Sequence, residues 1–96
     1  MKPKEKGIKS PQTTVRNSKQ MTLKEMQDAA GGTIQLVYDD GDMQIVCNEE
    51  GKLMDLPENE KATDIWWDKL DTQGRGTLDY LVGDVLILQG TARMED

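Results

Sequence analysis

The chain has 96 residues, a length that fits one small domain burying roughly 60 to 65% of the surface its unfolded form exposes. It holds one cysteine and no histidine, which excludes an internal disulfide and leaves a thiolate zinc site without ligands. The sequence shows no serine or cysteine nucleophile with a neighbouring base, and no cluster of metal-binding residues. We therefore predict no enzymatic activity, no cofactor and no metal.

The first 20 residues form a basic arm. They carry six basic residues and one acidic residue, a net charge of plus 5, whereas residues 21–96 carry six basic and seventeen acidic residues, a net charge of minus 11. The arm contains two prolines and few apolar side chains, so we predict that it is mostly disordered, although "TTV" at 13–15 offers a short edge strand. Residues 21–96 are predicted to form a single acidic domain.

The stretch "MTLKEMQDAAGG" predicts the first helix, over residues 22–30. Thr22 and Glu25 have the spacing of a capping box, and Met21 and Met26 that of a hydrophobic staple. Two glycines follow, which suits a left-handed helix end.

The run "TIQLVYDDGDMQIVCNEEGKL" predicts a β-hairpin. Apolar residues at 34, 36 and 38 and at 43, 45 and 47 alternate with their neighbours, and "DDGD" between them favours a tight turn. Cys47 is predicted to be a buried core residue. A second turn is predicted at 48–52, after which "LMDL" continues extended to Pro57.

The paired tryptophans belong to a second predicted helix, from residue 58 or 59 to Leu70. On a helical wheel Trp66 lies inside the apolar arc and is predicted to anchor the core, whereas Trp67 lies at its border beside the acidic face. We take Trp67, Asp64, Asp68, Asp71 and Tyr80 as candidate interaction residues.

The last predicted strand covers residues 81–89. Gly83 marks a bulge or a close backbone approach, and "DVLIL" is almost continuously apolar, which predicts a strand that is central or covered on both sides. The elements together predict an α+β domain: a small, mainly antiparallel sheet, made of the hairpin and the C-terminal strand, with two helices packed on one face. No apolar run approaches the roughly 20 residues that span a bilayer, so we predict a cytoplasmic protein, in the host cytoplasm if viral, without membrane contact.

The acidic hairpin turn contains Asp39, Asp40 and Asp42, which suggests a calcium-binding site. Its spacing lacks the glycine and the glutamate of an EF-hand loop, which favours a solvated turn. The Gly-rich stretches at 31–32 and 74–76 likewise lack the frame of a phosphate-binding loop.

Three segments carry a resemblance: "TLKEMQDAAGGTIQLV", "CNEEGKLMDLPENEKATDIW" and "LVGDVLIL". Over residues 22–89 they resemble a family of small proteins of unknown function that is frequent in bacteriophages and other mobile elements. The resemblance implies a phage-type accessory protein, and it implies no activity, cofactor or catalytic residue. Members of the family that the chain resembles often begin with a strand ahead of the first helix, where this chain has its basic arm.

Our leading hypothesis is a non-enzymatic accessory protein that binds a host or phage protein through its acidic surface, in counter-defence or by mimicry of DNA charge. The alternative is a protein that binds or sequesters a nucleotide signal with the side chains of Trp67, Tyr38, Tyr80, Arg75 and Lys61. Nucleic-acid binding is expected to be weak and confined to residues 1–20, because the acidic domain repels a polyanion. A simpler interpretation is that the acidic surface only keeps the protein in solution.

Overall fold

The computed structural model describes residues 10–94, which form a four-stranded sheet with two helices. The strands are β1 (Thr13–Arg16), β2 (Ile34–Asp39), β3 (Met43–Asn48) and β4 (Val85–Gln89), and the helices are α1 (Leu23–Ala30) and α2 (Glu60–Thr72). The sheet order is β1-β4-β3-β2, with β1 parallel to β4 and the other two pairs antiparallel. The predicted α+β class and mainly antiparallel sheet are confirmed. Within residues 10–94, no helix is long and apolar enough to cross a membrane.

The two helices lie on opposite faces of the sheet, so the prediction that both pack on one face is wrong. Val85 and Ile87 of β4 belong to the same buried cluster as Trp66 of α2. Leu86, between them, belongs to a separate cluster with Met26 of α1. Successive strand residues point to opposite faces, so the apolar run of β4 requires cover on both sides. The central position predicted for this strand is confirmed, and β3 beside it is buried at every residue.

The edge strand that "TTV" offered is present as β1. Its partners on β4 run from Thr13 opposite Val85 to Arg16 opposite Leu88. The N–H of Val85 also donates to the carbonyl of Gln12 at 2.9 Å, which extends the ladder by one bond. Residues 1–9 of the predicted arm lie outside the described residues.

Helix α1 begins and ends where its capping residues predict. The hydroxyl of Thr22 accepts from the N–H of Glu25 at 3.1 Å, and the Glu25 carboxylate accepts from the N–H of Thr22 at 2.8 Å. At the other end Gly31 takes a φ of 83° and donates to the carbonyl of Gln27. The helix predicted over 22–30 is confirmed because these signals are local in sequence.

The predicted hairpin is confirmed, but a β-bulge disrupts its alternation. The register with β3 shifts between Leu36 and Tyr38, so Val37 is the extra residue. As a result Ile34 packs with the α1 cluster, whereas Val37 and Tyr38 pack with the α2 cluster. The strict alternation predicted for 34, 36 and 38 is therefore wrong beyond Leu36.

The segment after β3 turns back on itself, so the extended conformation predicted for "LMDL" is wrong. Residues 49–55 are turns, and Asp55 has a φ of 58°. The N–H of Met54 donates to the carbonyl of Glu50 at 2.9 Å, and that of Leu56 donates to the carbonyl of Gly51 at 3.0 Å. These short-range bonds satisfy the backbone without a neighbouring strand, which is why the segment adds no strand to the sheet.

Asn59 joins α2 to β1, near the start of the chain, and to the segment just before β4, near its end. Its side chain is buried, with 2% exposed, and uses all four of its hydrogen-bonding positions. The amide oxygen accepts from the N–H of Ala62 at 2.9 Å, which caps α2, and from the Thr13 hydroxyl at 3.0 Å. The amide nitrogen donates to the carbonyls of Gln12 at 3.2 Å and Gly83 at 3.0 Å.

Two further buried polar side chains act in the same way. Asn48 donates to the carbonyl of Ala30 at 3.1 Å and accepts from the N–H of Glu50 at 2.8 Å, so it links the end of α1 to the turn after β3. The hydroxyl of Thr63 accepts from the N–H of Leu81 at 2.9 Å, which holds α2 against the segment before β4. Each satisfies backbone groups that burial would otherwise leave unpaired.

Candidate functional site

Helix α2 has a buried face and an acidic face, and the two tryptophans divide between them. Trp66 is 8% exposed and lies in the core, which confirms its predicted position. Trp67 is 38% exposed and lies on the outer face with the exposed Asp64, Asp68 and Asp71. The spacing of these four outer residues places them along one side of the helix. We call Asp64, Trp67, Asp68 and Asp71 the α2 stripe.

The indole of Trp67 is held in place although its ring is half-exposed. Its Nε1–H donates to the backbone carbonyl of Asp79 at 2.8 Å. That bond connects the α2 stripe to the loop before β4, which also carries the candidate residue Tyr80. An indole fixed in this way loses little side-chain entropy when another surface covers it.

Tyr80 is 43% exposed and has a cation on its ring. The Nζ of Lys52 lies 4.4 Å from the ring centroid, within range of a cation–π interaction. Lys52 also forms an ion pair with the carboxylate of Asp79, and that hydrogen bond lowers the pKa of Asp79 from its ordinary value. Sequence reasoning missed Lys52, because it lies 27 residues before Asp79 and only the turn at 49–55 brings it there.

A cavity of about 150 Å³ opens beside this ion pair. Its apolar lining includes Trp66 and Cys47, and burial raises the pKa of the Cys47 thiol, which fits its predicted core position. Lys52, Tyr80 and Glu49 also line it, together with Gln35, Val37, Asn48, Leu53, Asp79, Leu81 and Val82. Within residues 10–94 the buried indole Nε1–H of Trp66 has no acceptor.

A second cavity, of about 280 Å³, is lined in part by residues 10–12, just before β1. Ser10, Asn48 and Asp84 are among its lining residues. None of the five candidate interaction residues contributes to it. It therefore adds nothing to a site built on α2.

The side chains assigned to the nucleotide alternative do not converge on one pocket. Tyr80 lines the 150 Å³ cavity, but Trp67, Tyr38, Arg75 and Lys61 do not. The charged lining residues of this cavity are one lysine and two acids, which does not favour an anionic ligand.

The Tyr38 hydroxyl is part of the hairpin instead. It donates to the Asp40 carboxylate at 2.7 Å and accepts from the Gln73 side-chain amide at 2.7 Å. Burial raises the pKa of Tyr38 above its ordinary value, and the hydrogen bond to Asp40 adds to the effect. Arg75 in turn donates to the Gln73 side-chain oxygen, so these groups serve the fold locally.

The acidic hairpin turn directs its carboxylates at its own backbone. Asp40 accepts from the N–H groups of Asp42 and Met43, both at 2.8 Å, and Asp39 accepts from the N–H of Gly41 at 3.0 Å. Across residues 10–94, no group of three or more His, Cys, Asp or Glu side chains is arranged to hold a metal ion.

Asp40→Asn is expected to remove a pH-dependent part of the stability. The Tyr38 hydroxyl, aided by the N–H groups of Met43 and Asp42, lowers the pKa of Asp40 from 3.8 to about 2. Because the folded-state pKa is depressed, this contribution is complete above the unfolded pKa and is lost as pH falls through the folded pKa. The difference in free energy of unfolding between wild type and variant should be constant from about pH 5 to 7 and shrink between about pH 4 and 2. Urea titrations measure it, and a difference independent of pH contradicts the assignment.

Comparison with known proteins identifies a family whose function is unknown. Residues 3–96 match the family model described as Domain of unknown function (DUF3846). All the described helices and strands lie within this match. No curated protein and no solved structure matches the chain.

Proposed function

The chain belongs to the DUF3846 family, and we propose that it is a non-enzymatic accessory protein that binds a basic surface of a host or phage protein. The setting of bacteriophages and mobile elements rests on the three sequence segments that suggested it. Counter-defence in the host cytoplasm is the role we assign to such binding. The observation that carries the proposal is the α2 stripe.

The α2 stripe combines charge with a preordered aromatic side chain. Three exposed carboxylates surround Trp67, whose Nε1–H is bonded to the carbonyl of Asp79. Aromatic residues of this kind are enriched among the side chains that contribute most to interfaces, and charges around them select the partner's sign. The stripe therefore suits a partner that is basic around an apolar contact.

The rest of the charge distribution supports a basic partner. Residues 21–96 carry a net charge of minus 11, so their field attracts positive surfaces over several ångströms and repels nucleic acid. Binding of this type is expected to be fast and to weaken as salt rises.

Charge reversal on the α2 stripe tests the proposal. The triple variant Asp64→Lys, Asp68→Lys, Asp71→Lys should lose a partner that wild type captures from phage-infected bacterial cells, as measured by quantitative mass spectrometry. Reversing three exposed charges is expected to weaken binding by about tenfold or more, since each contributes about 0.5 kcal/mol or more.

A matched variant separates the stripe from net charge. Asp28→Lys, Asp42→Lys, Glu50→Lys makes the same change at exposed positions elsewhere and should keep the partner. Circular dichroism checks that both variants fold. Equal capture by the two variants, or recovery of wild type alone at low salt, contradicts the proposal.

The alternative proposal, sequestration of a nucleotide signal, has one supporting observation: the 150 Å³ cavity beside the Tyr80 ring. Its net acidic lining counts against an anion. Thermal shift against a nucleotide library tests this alternative, and the absence of stabilisation at millimolar ligand rules it out.

A further inference from the structure

The contacts of Lys52 show that Tyr80 and Asp79 together form a site for a cation. The ammonium of Lys52 lies over the Tyr80 ring and forms an ion pair with the Asp79 carboxylate, so a single cation interacts with both groups. The side chains of both Lys52 and Asp79 are about half-exposed. Ion pairs that are this exposed contribute little to stability, so an incoming cation can replace Lys52 at small cost.

Apolar surface lies directly beside this cation site. Leu53 lines the 150 Å³ cavity and is 88% exposed, and Leu78, next to Asp79 in the chain, is also exposed. Trp66 in the cavity wall brings a buried N–H that has no acceptor within residues 10–94. An apolar side chain that enters the cavity can contact Leu53 and the Trp66 ring there.

The α2 stripe adjoins the same corner through the bond from Trp67 to Asp79. A chain lying across Tyr80 therefore meets the carboxylates of α2 at its next positions. Asp79 thus belongs to the cation site, lines the cavity and binds the α2 stripe, so the three features meet at this residue. Their combination suits a segment with basic residues on both sides of an apolar residue.

We propose that Tyr80, Asp79 and Trp67 form a docking site for a lysine- or arginine-rich segment of a protein partner, and that Lys52 occupies the cation position until the partner displaces it. The proposal rests on the function proposed above and names the partner chemistry. In the complex, a partner cation lies on the Tyr80 ring against Asp79, an apolar side chain enters the cavity, and further cations face the α2 stripe. Lys52 then points to solvent.

The test uses the acetylated, amidated peptide KRKLKRK as the probe for the full ¹⁵N-labelled chain at low salt. Binding should shift the indole N–H signals of Trp66 and Trp67, which a Trp67→Phe variant assigns, and the backbone signal of Tyr80. Lys52→Ala should tighten the peptide about three- to fivefold, because it removes the internal competitor. Adding Tyr80→Ala to Lys52→Ala should abolish this gain.

A charge-matched variant distinguishes displacement from simple electrostatics. Lys61→Ala removes the same charge from an exposed position on α2, closer to the α2 stripe along the chain. If the gain were only electrostatic, Lys61→Ala would tighten binding as much as Lys52→Ala. Equal gains overturn the proposal, and so does the absence of indole shifts at millimolar peptide.

A second peptide tests whether an apolar side chain enters the cavity. The peptide KRKAKRK keeps the charges and lacks the leucine side chain, so it should bind more weakly and leave the Trp66 indole signal unshifted. Identical binding of the two peptides would show that the cavity does not take part in docking. If the α2 stripe variant loses its cellular partner while the Lys52 and Tyr80 variants bind peptide like wild type, the proposed function stands and this docking site does not.

Discussion

Asn59→Ala is expected to lower the free energy of unfolding by about 3 to 5 kcal/mol. The substitution removes the cap of α2, which typically contributes about 1 kcal/mol, and leaves buried groups without partners at about 1 to 3 kcal/mol each. The N–H of Ala62 and the carbonyl of Gly83 are the most buried of these groups. A domain of this size has a total stability of only about 5 to 15 kcal/mol, so the variant should be close to unfolding.

Asn59→Asp separates the cap from the two donated bonds. The aspartate keeps an oxygen for Ala62 and Thr13 but turns a carboxylate oxygen toward the carbonyls of Gln12 and Gly83. Its pKa should be raised in the folded state, so the destabilisation should be small below about pH 4 and grow as pH rises. Urea unfolding measures both variants, with the exposed Asn17→Ala as the control expected to change stability by less than about 0.5 kcal/mol. A loss below 1 kcal/mol for Asn59→Ala would show that the network contributes little.

Trp66→Ala should cost roughly 3 to 5 kcal/mol, because it empties the largest side chain from the cluster between α2 and the sheet. Trp66→Phe should cost less, since it keeps a ring in place and removes an N–H that has no acceptor within residues 10–94. Thermal and urea unfolding provide the measurement.

Trp67→Ala is the matched control for this prediction. The same truncation at the neighbouring position removes a half-exposed ring and one hydrogen bond to Asp79, so it should cost about 1 kcal/mol and leave the fold intact. Similar losses from the two tryptophans would contradict the division of α2 into a buried and an acidic face.

The elements that were predicted correctly from the sequence are those whose conformation depends on residues close together in the chain. The capping box of Thr22 and Glu25 and the glycine after α1 act within one turn, and the hairpin follows from alternation and a short turn. The division between Trp66 and Trp67 is also local, because it depends on the helical period alone.

The features that were missed depend on residues distant in sequence. The continuous apolar run in β4 indicated cover on both faces, yet it could not say that α1 and α2 supply one face each. The bulge at Val37 moves Tyr38 to the α2 face, and no glycine or other turn-forming residue at this position indicates a bulge in the sequence. At the candidate site, Lys52 meets Tyr80 only through the fold of the intervening segment, so periodicity could not find this contact.

The block "NEEGKLMDLPENEKAT", which lies in the second of the three segments that carry the sequence resemblance, contains residues that hold the fold together. Asn48, Asn59 and Thr63 in it are buried hydrogen-bonding residues that tie α1, α2, β1 and β4 together. Gly51 has no room for a side chain, because a Cβ there would lie 2.7 Å from the Val82 side chain. These four positions of the block therefore specify the fold, whereas Lys52 and Leu53 reach the proposed docking site.

The parallel pairing of β1 with β4 limits how far the basic arm can be trimmed. Deletion of residues 1–20 would remove β1 and leave Val85–Leu88 as an outer strand with unpaired N–H and C=O groups. A bare, continuously apolar edge is a template for pairing with other copies, so such a truncated chain should self-associate into aggregates. A deletion that ends at residue 9 removes four of the six basic residues of the arm and keeps β1. Only that shorter form can report what the charges of the arm do without also exposing the sheet.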